Sequence, residues 1–399
     1  MPWSPCWRTR CSGRGWERPD GPGWRRSSTR SAAFGRSWSS PLAEPKIAFV
    51  QDWLVDYGGA ERCLELLCTL FPAAPIHTLF YDPRQFEDSV IGDRIIHTTF
   101  LNRPLFRHRY RSFLALFPFA VEQLDLDEAE VVLSFSHSVA HGALVRSDAL
   151  HLCYCHTPMR YAWDLYKPYL RLSGLTTGAR SWAARAVLHY IRQWDALAGR
   201  RVDAYAANSR NVARRIRRIY DREATVIYPP VEVERFSPAK RRSEAFLVVG
   251  RMVPYKRTDL AVVACTRLGL PLRVVGDGPE MERLKRLAGP TVAFLGRLPD
   301  AAVAEEMAKA RALLFCGEED FGITPVEAQA AGTPVIAYAR GGALETVVPP
   351  AGADFGAATG LFFEEPSAES LVQAMTEFDR KEHLFQTHAM TSNAARFSA

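Results

Sequence analysis

The stretch Ala312-Leu313-Leu314-Phe315-Cys316-Gly317-Glu318-Glu319-Asp320-Phe321-Gly322-Ile323-Thr324-Pro325-Val326-Glu327 decides how this chain folds. Five apolar residues form a short run, a polar loop with glycines follows, and a helical segment begins near Pro325. An apolar run of that length, bounded by a loop, reads as a strand buried on both faces. Strand, loop and helix in that order make one unit of a parallel sheet. Pro325 suits the first helical position and Thr324 the N-cap. A helix start presents unpaired N–H groups and a positive dipole end to an anion. Glu319 and Glu327 stand on either side of that turn, and carboxylates accept hydrogen bonds from hydroxyls. The combination suits a ligand with both phosphate and polyol parts. In the competing reading Glu327 merely closes a capping box with Thr324, because Thr-x-x-Glu has that spacing.

The same unit recurs on both sides. Phe246–Gly250, Leu272–Gly276, Val292–Leu295 and Pro334–Ala337 read as further strands with helical patterns between them. Nearer the start, Ile47–Val50 runs into Gly58-Gly59-Ala60-Glu61 and a helical pattern of Cys63, Leu64, Leu67 and Leu70. Val131–Phe135, Leu150–Tyr154, Asp203–Ala207 and Val226–Tyr228 continue that series, with a helix from about Asn211 to Ile219. Strands alternating with helices imply parallel sheets with right-handed crossovers. The expected fold is therefore α/β, with two doubly wound, Rossmann-like domains facing a cleft. The boundaries are a low-complexity tail at 1–45, a first domain at 46–230, a linker at 231–243 and a second domain at 244–399. Ligands of such sheets sit beyond the carboxyl ends of the strands.

Composition narrows the function. The 399 residues carry a net charge of +6 and are 47% hydrophobic, which excludes a disordered or collagen-like chain. The longest apolar stretch, Phe113–Val121, is far short of the roughly 18 residues of a membrane span, so a soluble or peripheral protein is expected. Residues 1–45 hold eight arginines against three acids and lack a signal-peptide core. They read as a tail or as sequence upstream of the true start. The rest is nearly neutral, which argues against a nucleic-acid surface. The eight cysteines form no paired CxxC motif, so reduced structural thiols in a cytosolic protein are expected rather than zinc.

Other loops at strand ends supply candidate groups. Gly250-Arg251-Met252-Val253-Pro254-Tyr255-Lys256 places two cations where a diphosphate could be held, or two solvated surface charges. Gly341-Gly342-Ala343-Leu344-Glu345 and Gly276-Asp277-Gly278-Pro279 have the same glycine-loop form. No complete G-x-G-x-x-G follows a strand, so the nicotinamide-dinucleotide fingerprint is absent. His156 sits just past a strand end, as either a site residue or a structural histidine. His137 and His141 lack an evident third ligand and read as non-metal. Asp125-x-Asp127, amid Glu122, Glu128 and Glu130, reads as an exposed turn.

Taken together, these segments resemble the retaining glycosyltransferases of family 4 (group 1), which have the GT-B fold. The likeness covers about Lys46 to Phe397. It rests on Glu319 and Glu327 as the E-x7-E pair, on Gly250, Arg251 and Lys256, on Gly58-Gly59-Ala60-Glu61, and on Ala207-Asn208-Ser209. Within the family, Cys153–Asp164 and Pro325–Gly332 resemble bacterial mannosyltransferases of O-antigen and exopolysaccharide assembly. The resemblance implies a hexosyltransferase whose donor is a nucleoside diphosphate sugar, best guessed as GDP-mannose, with no separate cofactor and no metal. It implies that Arg251 and Lys256 hold the diphosphate, that Gly59 approaches it from the other domain, and that Glu327 binds the ribose. Glu319 and the N–H groups near Gly322 and Ile323 would contact the donor sugar, with His156 near the reacting centre.

The acceptor is expected on the first domain, as a glycan or a polyprenyl-diphosphate-linked glycan. Arg103, Arg107, Arg109 and Arg111 mix with Phe106, Tyr110, Phe113 and Phe117. Trp182, Ala186, Tyr190, Trp194 and Leu197 recur at helical spacing among arginines. Such faces suit an anionic membrane surface, and the expected location is cytoplasmic, peripheral on the inner face of the membrane. Ordinary core is the competing reading of these aromatics. Family members end with a helix that crosses back onto the first domain, and the chain stops near Asn393–Ala399, where that helix would continue. The alternative function is therefore a non-catalytic nucleotide-sugar-binding protein, or a truncated inactive homologue.

Overall fold

The computed structural model of the protein describes residues 44–107 and 110–398. Almost all of the arginine-rich tail, Cys6, Cys11 and Arg109 lie outside these residues. Two sheets carry the architecture. The first contains β1 (Ile47–Gln51), β2 (Ile76–Thr78), β3 (Ile96–Thr98), β4 (Val131–Ser136), β5 (Leu150–Cys155), β6 (Ala204–Ala207) and β7 (Ala224–Val226), in the order β3-β2-β1-β4-β5-β6-β7. The second contains β8 (Phe246–Val249), β9 (Leu272–Val275), β10 (Val292–Gly296), β11 (Leu313–Phe315), β12 (Val335–Tyr338) and β13 (Gly360–Phe363), in the order β10-β9-β8-β11-β12-β13. Every pairing is parallel. The expected two-domain α/β fold is observed.

Each sheet has apolar clusters on both faces, which is why its strands read as continuous apolar runs. In the first sheet one cluster gathers Val50, Phe117, Val132 and Ile191, and the other Phe49, Leu64, Ile76 and Phe135. Alternate residues of β1 thus point to opposite clusters, as strand geometry requires. In the second sheet Val248, Leu314 and Ile336 face one cluster, and Leu247, Leu313 and Val335 the other. The strand order reverses between β1 and β4 in the first sheet and between β8 and β11 in the second. At such a switch the two following loops leave on opposite sides and open a crevice at the strands' carboxyl ends.

The six described cysteines are free and buried, with Cys153 and Cys155 on one face of β5 in a cluster with Val202, Tyr205 and Ile216. In the helix Gly178–Ala198, Ser181, Leu188, Ile191, Asp195 and Ala198 face the core. Trp182, Tyr190 and Leu197 are 77%, 48% and 64% exposed, which corrects the core reading for those three. Trp194 is half-buried and donates to Glu122 at 2.8 Å. The 100–119 segment divides the other way, because Phe117 is buried and Phe106 packs edge-on against Phe113 at 4.7 Å. Among the described residues no helix is long and apolar enough to cross a membrane. The last helix, Thr387–Ala395, packs on the second domain, where Asn393 donates to Gln329 at 2.6 Å.

Candidate active site

The two central strands of the second sheet bring the candidate donor residues together. β8 runs into Gly250, Arg251 and a turn at Pro254–Lys256, and β11 runs into Gly317–Gly322. Lys256 Nζ lies 2.9 Å from Glu319 Oε1. Burial works against the Lys256 charge, but attraction to Glu319 and the hydrogen bond Lys256 donates to it outweigh that cost, so the ammonium pKa stands above its ordinary value. Gly250, Lys256, Gly317 and Glu319 line one small cavity with Met252 and Thr258. Gly341 and Gly342 support the Glu319 loop from below. Gly342 N donates to Glu319 O at 2.8 Å, and a Cβ on Gly341 would fall 2.2 Å from that oxygen. Arg251 stands apart from this pair: its partner is Asp56 of the first domain, at 3.7 Å.

The helix after this loop begins two residues earlier than expected. It spans Ile323–Ala330, and Gly322 is its N-cap, with φ +84°, a conformation that favours glycine. Thr324 is therefore inside the first turn and makes no cap bond. Pro325 is the third helical residue, whose N–H would be unpaired in any case. The capping-box reading of Glu327 is overturned as well, because its Oε1 instead accepts from Arg62 Nη1 of the first domain at 3.3 Å. Burial raises the Glu327 pKa, and Arg62 opposes the rise. Gly59 and Ile323 also meet across the cleft, since a Cβ on Gly59 would sit 2.6 Å from Ile323 Cδ1. We expect Gly59→Ala to weaken nucleoside diphosphate binding about tenfold, or 1.4 kcal/mol. Ile323→Ala in the same chain should restore it by making room. Unchanged binding by the single variant, in calorimetry, would show that the close approach is not needed.

On the first domain the carboxyl ends of β1, β4 and β5 supply Asp52, His137 and His156. Asp52 is fully buried and accepts four backbone N–H groups, from His137 (2.6 Å), Ser138 (2.9 Å), Val139 (2.6 Å) and Ala140 (2.7 Å). Its Oδ2 is also 3.0 Å from His137 Nδ1. His156 Nε2 is shut off from solvent and has no hydrogen-bond partner among the described residues. Burial, helped by His137, pushes its pKa down to about 3, so the ring is neutral at pH 7. His141 lies between Ser136 and Asp195. Asp125 accepts from Asp127 N at 3.2 Å, the turn that was expected. Among the described residues no group of three or more His, Cys, Asp or Glu side chains stands ready to hold a metal.

These histidines set a pH dependence. Burial lowers His77 and His151 to about 4 and His156 to about 3, from an ordinary 6.5. Below about pH 6.5 the unfolded chain takes up protons that the fold refuses, so stability falls as pH drops toward 4. His141 offsets part of this: burial opposes its charge, but Asp195 holds it protonated. We expect the melting temperature to fall by several degrees from pH 7 to pH 5, with a shallower slope in His156→Gln. A flat profile across that window would contradict the burial of three neutral rings.

Several residues at the cleft were given no role in the sequence reading. Arg62, Asp52, Arg160, Arg215 and Glu345 all make contacts between strand ends or between domains. Arg62, Arg160 and Glu345 had a hint, lying beside Gly58-Gly59-Ala60-Glu61, within Cys153–Asp164 and at the end of Gly341–Glu345, whereas Asp52 and Arg215 had none.

Two facing Rossmann-like domains, with their switch-point loops meeting across one cleft, are the architecture of the GT-B fold. Comparison with known sequences agrees. Residues 57–235 match the family model "Glycosyltransferase Family 4" and residues 231–397 match "Glycosyl transferases group 1", so the chain belongs to this family of hexosyltransferases. It is similar to a GDP-mannose-dependent alpha-mannosyltransferase of Mycolicibacterium smegmatis, 39% identical over 102 residues, which is 25% of this chain and 27% of that protein. It is also similar to a GDP-mannose-dependent monoacylated alpha-(1-6)-phosphatidylinositol monomannoside mannosyltransferase of Corynebacterium glutamicum. That match is 31% identical over 211 residues, 45% of this chain and 53% of that protein. The chain thus matches about half, or less, of the length of these curated relatives. Among solved structures, HepE of Anabaena in complex with UDP superposes with a TM-score of 0.62 at 17% identity, covering 88% of this chain and 96% of that one. Sucrose-phosphate synthase of Thermosynechococcus elongatus gives 0.66 at 17% identity, covering 88% and 94%. These two likenesses concern the fold.

Proposed function

We propose that this protein transfers a hexosyl group, with retention of configuration, from a nucleoside diphosphate sugar to a glycan or lipid-linked glycan acceptor. The observation that carries the reading is the Lys256–Glu319 pair at the switch point of the second sheet, in the domain whose Ile323 meets Gly59 of the loop after β1 across the cleft. Arg251 and Lys256 take the diphosphate. An ammonium has three donors, so Lys256 can keep Glu319 while turning another N–H to a phosphate oxygen. Glu319 and the N–H groups at Gly322 and Ile323 take the donor sugar, Glu327 takes the ribose, and neutral His156 offers a hydrogen bond near the sugar. No separate cofactor is part of this proposal.

As the anomeric carbon–oxygen bond breaks, its electron pair stays on the diphosphate. Fixed cations and a helix N-terminus stabilise that charge where it develops. The acceptor oxygen bonds to the same face of the anomeric carbon, and its proton passes to the departing phosphate oxygen. The names of the mycobacterial and corynebacterial relatives support GDP-mannose as donor. The UDP bound to HepE keeps a uridine donor in view. Exposed Trp182, Tyr190 and Leu197 support a lipid-linked acceptor of cell-surface polysaccharide synthesis, met at the inner face of the cytoplasmic membrane.

A thermal-shift panel with GDP, UDP, ADP and their sugar conjugates tests the donor, because a ligand that binds only the folded state raises the melting temperature. We expect GDP and GDP-mannose to stabilise the chain selectively. A response to uridine nucleotides alone would keep the reaction and discard mannose. No response to any of them would overturn the reading in favour of a chain that has lost donor binding. Stabilisation without turnover would leave a non-catalytic binder.

A further inference from the structure

The helix Arg210–Tyr220 of the first domain touches the second domain in two places, and neither belongs to the donor pairs above. At its start, Glu345 accepts from the backbone N–H groups of Arg210 and Asn211 at 2.8 and 2.9 Å. Farther along, Arg215 reaches the loop that carries Glu319. Its guanidinium, only 12% exposed, pairs with Asp320 and with Glu318 Oε1 at 3.1 Å. It also pairs with Asp164 Oδ2 at 2.8 Å and donates to Thr157 Oγ1 at 3.3 Å. Glu318 and Asp320 flank Glu319, and Thr157 follows His156. Arg160, from the same loop as Thr157, donates to Glu318 O at 3.0 Å and lies 3.7 Å from Asp320 Oδ2.

A guanidinium is planar and presents five donors in fixed directions, so it can hold several acceptors in one arrangement where an ammonium cannot. Here it binds both neighbours of Glu319 and the neighbour of His156. We propose that Arg215 is a positioning residue, which fixes the Glu319 loop against the His156 loop and so sets the spacing across the cleft for sugar transfer. The proposal rests on the roles of Glu319 and His156 given above. Arg215 pairs with neither Glu319 nor Glu327, and therefore acts through the backbone on either side of Glu319. A misplacement of about 1 Å at a reacting centre lowers rates by about a hundredfold. Burial raises the Asp320 pKa, and Arg160 and Arg215 oppose the rise.

The test uses the full chain as Arg215→Ala, Arg215→Lys and Asp320→Asn, with Glu319→Ala as reference. The donor is whichever nucleoside diphosphate sugar gives the largest thermal shift. Three readouts are needed: kcat, the Kd of the matching nucleoside diphosphate, and amide hydrogen exchange across residues 317–322. In Arg215→Ala we expect kcat to fall about a hundredfold, Kd to stay within about threefold, and the loop to exchange faster. Arg215→Lys should recover part of the loss. Asp320→Asn, which keeps the side chain's shape, should lower kcat in the same direction and carries the test if Arg215→Ala does not fold. Unchanged kcat, unchanged exchange in the loop, or a Kd loss as large as the kcat loss would overturn the positioning role. If Glu319→Ala abolishes turnover while Arg215→Ala and Asp320→Asn keep it, that role alone falls. If Glu319→Ala turns over normally, the reading beneath it falls and takes this proposal with it.

Discussion

Glu319→Ala should lower kcat for sugar transfer by about a hundred- to a thousandfold, the range seen when one preorganised polar contact to a reacting centre is removed. Affinity for the nucleoside diphosphate should hold or tighten. The structure supplies the reason, because Glu319 Oε1 pairs with Lys256 Nζ at 2.9 Å. Removing the carboxylate frees that ammonium for phosphate, while the sugar loses its acceptor. Glu319→Gln separates the two effects: it keeps the length and one hydrogen-bond acceptor but releases Lys256 from its charge partner. Steady-state kinetics beside calorimetry with the nucleoside diphosphate would decide. Equal losses in kcat and in affinity would place Glu319 on the phosphate side of the site rather than on the sugar.

Asp52→Ala should be the most damaging single change to stability, at about 4 kcal/mol or more, as expected when a buried charged partner is removed from several donors. Four N–H groups of the turn after β4 converge on this fully buried carboxylate, and the substitution removes the acceptor of all four. Asp52→Asn should be milder, since one oxygen still accepts while the amide NH2 faces two donors. The loss should appear in the unfolding of the first domain, read by urea titration, because the carboxylate joins β1 to the loop after β4 within that sheet. A loss under about 1 kcal/mol in Asp52→Ala would mean that the turn finds other acceptors. The same change should displace His137 and, beside it, His156, so its effect would reach the cleft as well.

Much of this fold was legible in the chain because strands and helices declare themselves locally. The apolar runs at Ile47–Val50 and Phe246–Val249 are buried or largely so on both faces, and a run needs no knowledge of its neighbours to be recognised. The short strands β2 and β3 were missed because Ile-His-Thr, three residues long in each, carries no period. Gly58-Gly59 and Gly322 were recognisable as loop-to-helix joints from glycine placement. The exact start of the helix at Ile323 was not, because Thr324 and Pro325 form a plausible start of their own and only the left-handed Gly322 displaces it.

The site divides along the same line. The likeness to family 4 singled out Glu319, Glu327, Arg251, Lys256, Gly59 and His156 from motifs a few residues long. What those side chains do to one another was decided only by the tertiary structure. Arg62 and Glu327 are separated by 265 positions, and Arg215 and Asp320 by 105, so no spacing rule relates them. The sequence alone established two parallel-sheet domains and the loops at their strand ends, because backbone periodicity and glycine placement act within a few residues. The partners across the cleft, and hence the charge on each buried group, follow from how two independently wound sheets face each other.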